Sequence, residues 1–119
     1  MKLSVETNRK TRYAFLTVPD YSMIALANAI EPLRMANRVS AQNAYEWLVV
    51  TLDGQPATAS NGLMMTPTTR LADLTNVDLV FVCGGVNVRE AVSPALVTAL
   101  RRLAANRMPL GALCTGGYA

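Results

Sequence analysis

The chain has 119 residues, of which 51% are hydrophobic and 16% charged, and a formal net charge of +3. This composition is that of an ordinary globular protein and allows one domain at most. No stretch is long enough to span a membrane, and the N-terminus lacks the apolar segment of a signal peptide. We therefore expect a cytoplasmic protein without membrane contact, in which Cys83 and Cys114 stay reduced.

Positions 1–12 are polar and aperiodic, and Lys2, Arg9, Lys10 and Arg12 supply part of the positive charge. No aromatic residues are interleaved with these basic ones, so we interpret the segment as a solvated tail rather than an arm that binds nucleic acid. The chain contains two cysteines and no histidine. These do not supply the four ligands of a structural zinc site, and we expect neither a metal ion nor a cofactor.

Four apolar runs predict the strands of the fold. Each run is apolar on both of its faces, which is typical of parallel strands buried between two layers of helices. The runs are Tyr13–Val18, Tyr45–Leu52, Leu79–Cys83 and Leu110–Leu113. Because helical patterns alternate with these runs, the sequence predicts an α/β fold: a doubly wound, mostly parallel sheet with helices on both faces.

The first helix is expected from about Ser22 to Asn37, with Asp20 or Ser22 as its N-cap. Pro32 lies inside this range, which predicts either a kink or a helix that begins later. Helical spacing indicates a buried stripe that comprises Ile24, Ala27, Ile30 and Leu33 or Arg34.

The second helix opens at Ser93-Pro94, a cap residue followed by proline at the first helical position. Its apolar stripe comprises Leu96, Leu100 and Leu103, and its water-facing residues are Arg101, Arg102 and Arg107. Between the strands, Asn61-Gly62 predicts a two-residue hairpin turn that joins 58–60 to 63–66, with positive φ at both turn positions. Leu71–Leu74 is expected to form one short turn of helix.

The last predicted strand runs directly into Cys114, and two glycines follow at 116 and 117. This pattern is typical of a nucleophile elbow, a sharp turn that lifts one side chain clear of the sheet. A helix beginning after Cys114 would lower the thiol pKa, because its dipole and free N–H groups favour the thiolate. The alternative is a small buried cysteine that only packs. Without histidine, the usual general base of a Cys–His pair is absent from this stretch.

Doubly wound sheets bind ligands at the carboxyl ends of their strands. Three such ends are chemically distinctive here. Together they supply the candidate ligand-binding residues Asp20, Gly84, Gly85, Val86, Cys114, Thr115 and Gly116. The glycines let backbone N–H groups approach a ligand and could form an anion or oxyanion site. A tight strand-to-loop turn would need the same glycines, which is the structural alternative.

Two further residues have simpler interpretations. We interpret Cys83 as a packing residue, although a disulfide with Cys114 is conceivable if their strands are neighbours. Glu31 has Arg34 and Arg38 on or beside the same helix, which favours an ion pair, with direct ligand contact as the alternative.

Several segments carry a resemblance to a known family: the opening strand and helix, the string VFVCGG and the string LGALCTGGYA. Over essentially all of residues 12–119, the chain resembles the PfpI/ThiJ branch of the class I glutamine-amidotransferase-like superfamily. It is similar above all to the N-terminal domains of GlxA-type regulators of the AraC family, through NAIEPLRMANR at 28–38 and GALCTGGYA at 111–119. The resemblance implies a flavodoxin-like fold, of which residues 13–119 form the first part.

The resemblance also bears on catalysis. Enzymes of this superfamily place an acid on the first helix beside the elbow cysteine, and commonly a histidine directly after that cysteine. The corresponding positions here hold Ala25 and Thr115. The resemblance therefore implies a domain that keeps the elbow as part of a pocket and does not catalyse a reaction.

In such regulators the domain binds a small nitrogenous metabolite, such as an amino acid, betaine or carnitine, and forms a homodimer. A downstream pair of helix-turn-helix motifs binds DNA. We therefore expect the ligand-sensing domain of an AraC-family transcriptional regulator, whose DNA-binding domain lies outside this chain. One alternative is an enzyme of the same superfamily, a hydratase, glyoxalase-like enzyme or amidase, with Cys114 as nucleophile. A redox sensor oxidised at Cys114 is another.

Overall fold

The four apolar runs identified in the sequence form four adjacent strands of one parallel sheet. The computed structural model describes residues 10–114 of the chain. Its strands are β1 (Thr11–Thr17), β2 (Tyr45–Thr51), β3 (Ala57–Thr58), β4 (Met64–Met65), β5 (Thr69–Arg70), β6 (Leu79–Cys83) and β7 (Leu110–Leu113). Five of them form a parallel sheet in the order β5-β2-β1-β6-β7. The short β5 is an edge strand that the sequence analysis did not identify.

Helices cover both faces of this sheet. They are α1 (Met23–Ser40), α2 (Val88–Ala91) and α3 (Pro94–Ala105), with a 3₁₀ turn at Leu71–Asp73. Because side chains alternate along a strand, neighbouring residues of β1 enter different cores. Leu16 packs in the core that contains Leu96 of α3, and Phe15 packs in the core that contains Leu26 of α1. The predicted doubly wound α/β fold is confirmed.

The first helix is longer than the sequence predicted. Its N-cap is Ser22, whose hydroxyl accepts a hydrogen bond from the Ala25 N–H at 3.2 Å. The helix continues through Pro32 to Ser40, so the expectation that it begins later is wrong. Near its end, the Asn37 side chain donates to the Tyr45 carbonyl at 2.9 Å and accepts from the Tyr45 N–H at 3.1 Å. This pair of bonds fixes the end of α1 to the start of β2.

The buried face of α1 also differs from the predicted stripe. Leu26 is buried and Ile30 and Leu33 pack beside it, but Ile24 is 72% exposed and Ala27 is also exposed. A constant spacing of three residues drifts around a helix that has 3.6 residues per turn. At the N-terminal end of α1, the residues predicted to be buried therefore face away from the core.

The predicted hairpin forms, but with a different turn. Thr58 pairs with Met64 in the antiparallel β3–β4 ribbon, so the loop between them is longer than two residues. The Gly62 N–H donates to the Ala59 carbonyl at 2.9 Å, and Gly62 has a φ of 88°. Asn61 is not among the described residues with positive φ. The turn thus resembles a type I turn followed by a left-handed glycine, not the predicted two-residue turn.

The second predicted helix and the 3₁₀ turn are confirmed. Ser93 caps α3 by accepting a hydrogen bond from the Leu96 N–H at 3.1 Å, and Pro94 is the first residue of the helix. Leu96 and Leu100 are buried, and Leu103 packs against the same core. The short α2, by contrast, was not predicted.

The predicted polar tail extends too far into the domain. Thr11 and Arg12 belong to β1, and the Arg12 guanidinium donates to the carbonyls of Thr75 and Asn76 at 3.1 and 3.0 Å. Arg12 therefore belongs to β1, and its partly exposed guanidinium is bound to the loop before β6. Residues 1–9 lie outside the described part of the chain. Within residues 10–114, no helix combines the length and apolar character that crossing a bilayer requires.

The two cysteines lie in opposite environments. Both are free thiols; Cys83 is fully buried and Cys114 is exposed. Burial raises the pKa of the Cys83 thiol from its ordinary value of 9.0 to about 12. Cys83 thus packs in the core beneath α1, in agreement with its interpretation as a packing residue.

This shift in the pKa of Cys83 predicts that the protein loses stability in alkaline solution. The unfolded chain releases the thiol proton above pH 9, whereas the folded chain retains it to about pH 12. Between these values the free energy of unfolding should fall by about 1.4 kcal/mol per pH unit from this group alone. Urea denaturation at a series of pH values measures the slope. Cys83→Ala should flatten it and Cys114→Ala should not; equal slopes in the two variants would contradict the assignment.

Candidate functional site

Three of the predicted strand ends meet at the carboxyl edge of the sheet. Because β1, β6 and β7 are neighbours, backbone hydrogen bonds join the segments that follow them. The Ser22 N–H donates to the Gly84 carbonyl at 2.9 Å, and the Gly84 N–H donates to the Leu113 carbonyl at 3.3 Å. This edge carries Asp20, Gly84, Gly85, Val86 and Cys114, which we call the Cys114 rim.

Cys114 directly follows β7 and has a φ of 55°, in the left-handed region. For a residue with a side chain, this conformation costs roughly 1–2 kcal/mol. Such strain persists only where the surrounding structure imposes it, and it is concentrated at functional sites. An exposed thiol on a strained residue at a strand end has the geometry of an elbow. Thr115, Gly116 and the expected following helix lie outside the described residues.

At the Gly84-Gly85 pair, the segment after β6 approaches the loop after β1 closely. Tyr21 and Gly85 form an isolated antiparallel bridge. A Cβ at Gly85 would overlap the Asp20 carbonyl oxygen and lie 2.8 Å from the Ser22 nitrogen. The close approach that Gly85 permits is therefore to the loop after β1, which supports the structural alternative for this glycine. A role of the pair in ligand binding stays a prediction.

Asp20 contributes a carboxylate to the rim. Its backbone has a φ of 64°, and its N–H donates to the Thr58 carbonyl at 2.7 Å. The Asn87 side-chain amide donates to the Asp20 Oδ2 at 3.4 Å. Asn87 was not singled out in the sequence. Its residue type could have indicated it. Asn87 lies shortly after the two glycines, and asparagine tolerates the left-handed φ of 54° found there better than most residues do.

The rim lacks an acidic partner from the first turn of α1. That turn contains no acidic residue, and Ala25 lies within it. Glu31 comes later on the helix and forms an exposed ion pair with Arg34, with 2.8 Å between Oε2 and Nε. Hydrogen bonding to Arg34 lowers the pKa of Glu31. The ion pair predicted for Glu31 is confirmed.

Metal binding finds no support in the described residues. No group of three histidine, cysteine, aspartate or glutamate side chains between residues 10 and 114 could hold a metal ion. Chemically, the rim thus combines one exposed thiol, one carboxylate and the half-exposed apolar side chain of Val86, which is 58% exposed.

The loop contact at Gly85 predicts a large effect of one added methyl group. Gly85→Ala should lower the free energy of unfolding by about 3 kcal/mol, because the backbone of Asp20–Ser22 occupies the space of the new Cβ. Gly62→Ala is the matched control: no atom lies within 4 Å of its Cβ position, and only the φ of 88° opposes the change. The control should lose about 1 kcal/mol. Equal losses by chemical denaturation would refute the role assigned to Gly85.

Comparison with known proteins identifies the family. The DJ-1/PfpI family model matches residues 14–119. The "HTH-type transcriptional regulator GbdR" of Pseudomonas aeruginosa is 43% identical over 105 residues, which cover 88% of this chain and 29% of that protein. The "HTH-type transcriptional regulator GlxA" of Rhizobium meliloti is 29% identical over 119 residues, 99% of this chain and 37% of that protein. The chain thus spans little more than a third of these relatives at most.

A solved structure agrees with these matches. The AraC family transcriptional regulator from Pseudomonas putida superimposes with a TM-score of 0.78 and 30% identity, covering 91% of this chain and 67% of that one. The resemblance to the PfpI/ThiJ domains of GlxA-type regulators is thereby confirmed. This chain belongs to the DJ-1/PfpI family.

Proposed function

We propose that this chain is the ligand-sensing domain of an AraC-family transcriptional regulator. It binds a small nitrogenous metabolite at the Cys114 rim and does not catalyse a reaction. The relatives named above are transcriptional regulators of the helix-turn-helix type, and they support a regulatory role. The proposed protein is cytoplasmic, acts as a homodimer and contacts DNA through a domain outside residues 1–119.

The observation that carries the proposal is the strained, exposed Cys114, together with a first turn of α1 that holds no acidic residue. Strain at an exposed residue favours a functional site. A thiol becomes a strong nucleophile when a neighbouring base or positive charge favours the thiolate. The first turn of α1 supplies no acidic residue that could act as a base, and the rim carboxylate of Asp20 already accepts a hydrogen bond from Asn87. The arrangement therefore suits a pocket more than a catalytic centre.

Sensing would operate through a population shift. A metabolite that contacts the loops after β1, β6 and β7 binds best when those loops hold one relative arrangement. Binding therefore shifts the equilibrium toward the domain geometry that contains this arrangement. The size of the shift is set by the difference between the ligand's affinities for the two geometries. The position of the attached DNA-binding domains would follow that geometry.

The exposure of Cys114 also favours a second candidate, an enzyme of the same family with Cys114 as nucleophile. It would need a base, for which the described part of the rim offers only the Asp20 carboxylate, already hydrogen-bonded to Asn87. Thiol reactivity distinguishes the two functions, because an activated thiolate reacts rapidly near neutral pH.

The first test is alkylation of the native full chain by iodoacetamide at pH 7. Cys114 should be labelled at the rate of an ordinary exposed thiol, and Cys83 should stay unlabelled because it is buried with a pKa of about 12. Mass spectrometry of the peptides identifies the labelled residue, and Cys114→Ala provides the blank. Rapid labelling of Cys114 together with substrate turnover would contradict the sensing function and support the enzymatic one.

The second test is ligand-induced stabilisation, with betaine, carnitine and the common amino acids as probes. A ligand at 100 times its Kd should raise the free energy of unfolding by about 2.7 kcal/mol. Cys114→Trp should abolish the gain by filling the rim. Val39→Trp is the control, since Val39 is 81% exposed at the far end of α1. A gain that survives Cys114→Trp, or no gain with any probe, would contradict the proposal.

A further inference from the structure

The C-terminal end of α3 carries positive charge that no carboxylate in the described structure balances. Arg101 and Arg102 lie near the end of the helix, and Arg107 lies in the turn that leads to β7. All three residues are exposed, and we call them the α3 arginines. Within residues 10–114, none of the three has a partner for an ion pair.

The sequence around the α3 arginines contains no acidic residue. Residues 91–119 hold these three arginines and no other charged side chain. The 11 basic residues of the chain less these three leave eight, which equals the number of acidic residues. The formal net charge of +3 is therefore that of the α3 arginines. The exposed Arg34 and Arg70, in contrast, pair with Glu31 and Asp73.

Backbone hydrogen bonds hold the α3 arginines at one end of the helix. The Asn106 N–H donates to the Arg102 carbonyl at 3.1 Å, and the Arg107 N–H donates to the Ala104 carbonyl at 3.0 Å. The turn thus folds against the last turn of α3. Since α3 runs back from the end of β6 to the start of β7, this end lies at the amino edge of the sheet. The Cys114 rim lies at the opposite edge.

The dipole of α3 accounts for only part of this charge. A helix carries the equivalent of roughly half a negative charge at its C-terminus, which favours one nearby cation. Three arginines exceed that charge several-fold. Most of the positive charge is therefore available to a partner outside the described structure.

The composition of α3 favours a nucleic acid over a protein as this partner. The other exposed residues of the helix are small or cyclic, namely Pro94, Ala95, Thr98, Ala104 and Ala105, and its large hydrophobic side chains are buried or half-buried. Protein interfaces are built around apolar or aromatic side chains, which this surface lacks. The phosphate backbone of a duplex binds through charge alone, and the arginine guanidinium matches a phosphate with two parallel hydrogen bonds.

From these observations we infer that the α3 arginines bind the phosphate backbone of duplex DNA without reading its sequence. In the proposed function, DNA is contacted through a domain outside residues 1–119. The α3 arginines supply a further contact from the sensing domain itself. Because they lie at the edge of the sheet opposite the Cys114 rim, DNA and a metabolite bind without competing for the same residues.

The test measures fluorescence anisotropy of a labelled random-sequence duplex of about 20 base pairs as the native full chain is added. Three phosphate contacts predict a slope of about −2.7 in a plot of the logarithm of the binding constant against the logarithm of the salt concentration. Raising the salt from about 20 to about 80 mM should thus weaken binding about 40-fold. Unlabelled polyglutamate, at the same concentration of charge as the DNA, should displace it poorly.

Variants assign the slope to particular side chains. Arg101→Gln, Arg102→Gln and Arg107→Gln should each make the slope less negative by about 0.9, and the triple variant should lose salt-dependent binding. Glutamine is a good helix former, so α3 is kept, and urea denaturation verifies that each variant is folded. Arg34→Gln is the matched control. It removes the same charge from an exposed helix position, but this arginine pairs with Glu31, so the slope should not change.

Four outcomes would overturn the inference. They are no binding at the lowest salt concentration, an unchanged slope in the folded triple variant, an equal effect of Arg34→Gln and Arg102→Gln, and equal displacement by polyglutamate. The third would indicate that net charge alone matters, and the fourth that the surface fits an acidic protein. Cys114→Trp should leave DNA binding intact, and the triple variant should keep its stabilisation by a metabolite. This result is therefore distinguishable from a failure of the proposed function.

Discussion

The contact between the loop after β1 and the loop after β6 fixes the geometry on which the candidate site depends. Gly85 has no side chain, so the backbone of Asp20–Ser22 lies in the space that a Cβ would occupy. The Ser22 N–H bonds to the Gly84 carbonyl, and Gly84 in turn bonds to Leu113. The start of α1 is thereby tied to β6 and to the strand that leads into Cys114. These are short-range constraints between backbone atoms.

Features set by local physical chemistry could be predicted from the sequence. The apolar runs gave the strands because a strand buried on both faces excludes polar residues. Ser22 and Ser93 were identified as caps because their hydroxyls bond to backbone N–H groups within the same turn. Features set by tertiary packing could not be predicted in this way. The strand β5, only two residues long, depends on its pairing with β2, which is distant in the sequence.

The same division applies to the site. Parallel strands bring their carboxyl ends to one edge, so the sequence placed Asp20, Gly84 and Cys114 together. It could not show that Gly85 makes room for backbone, because that depends on where Asp20 and Ser22 lie. That finding required the distances between segments.

Pro32 divides α1 into two segments, and this division affects how the rim can move. Proline has no N–H, so the Asn28 carbonyl, four residues earlier, lacks its helical hydrogen bond. The segment before this gap is attached to the glycine loop through Ser22, and the segment after it is attached to β2 through Asn37. A tilt of the first segment therefore costs less than it would in an uninterrupted helix. We therefore expect a displacement that begins at the rim to bend α1 at Pro32 and to move the amino end of β2 less.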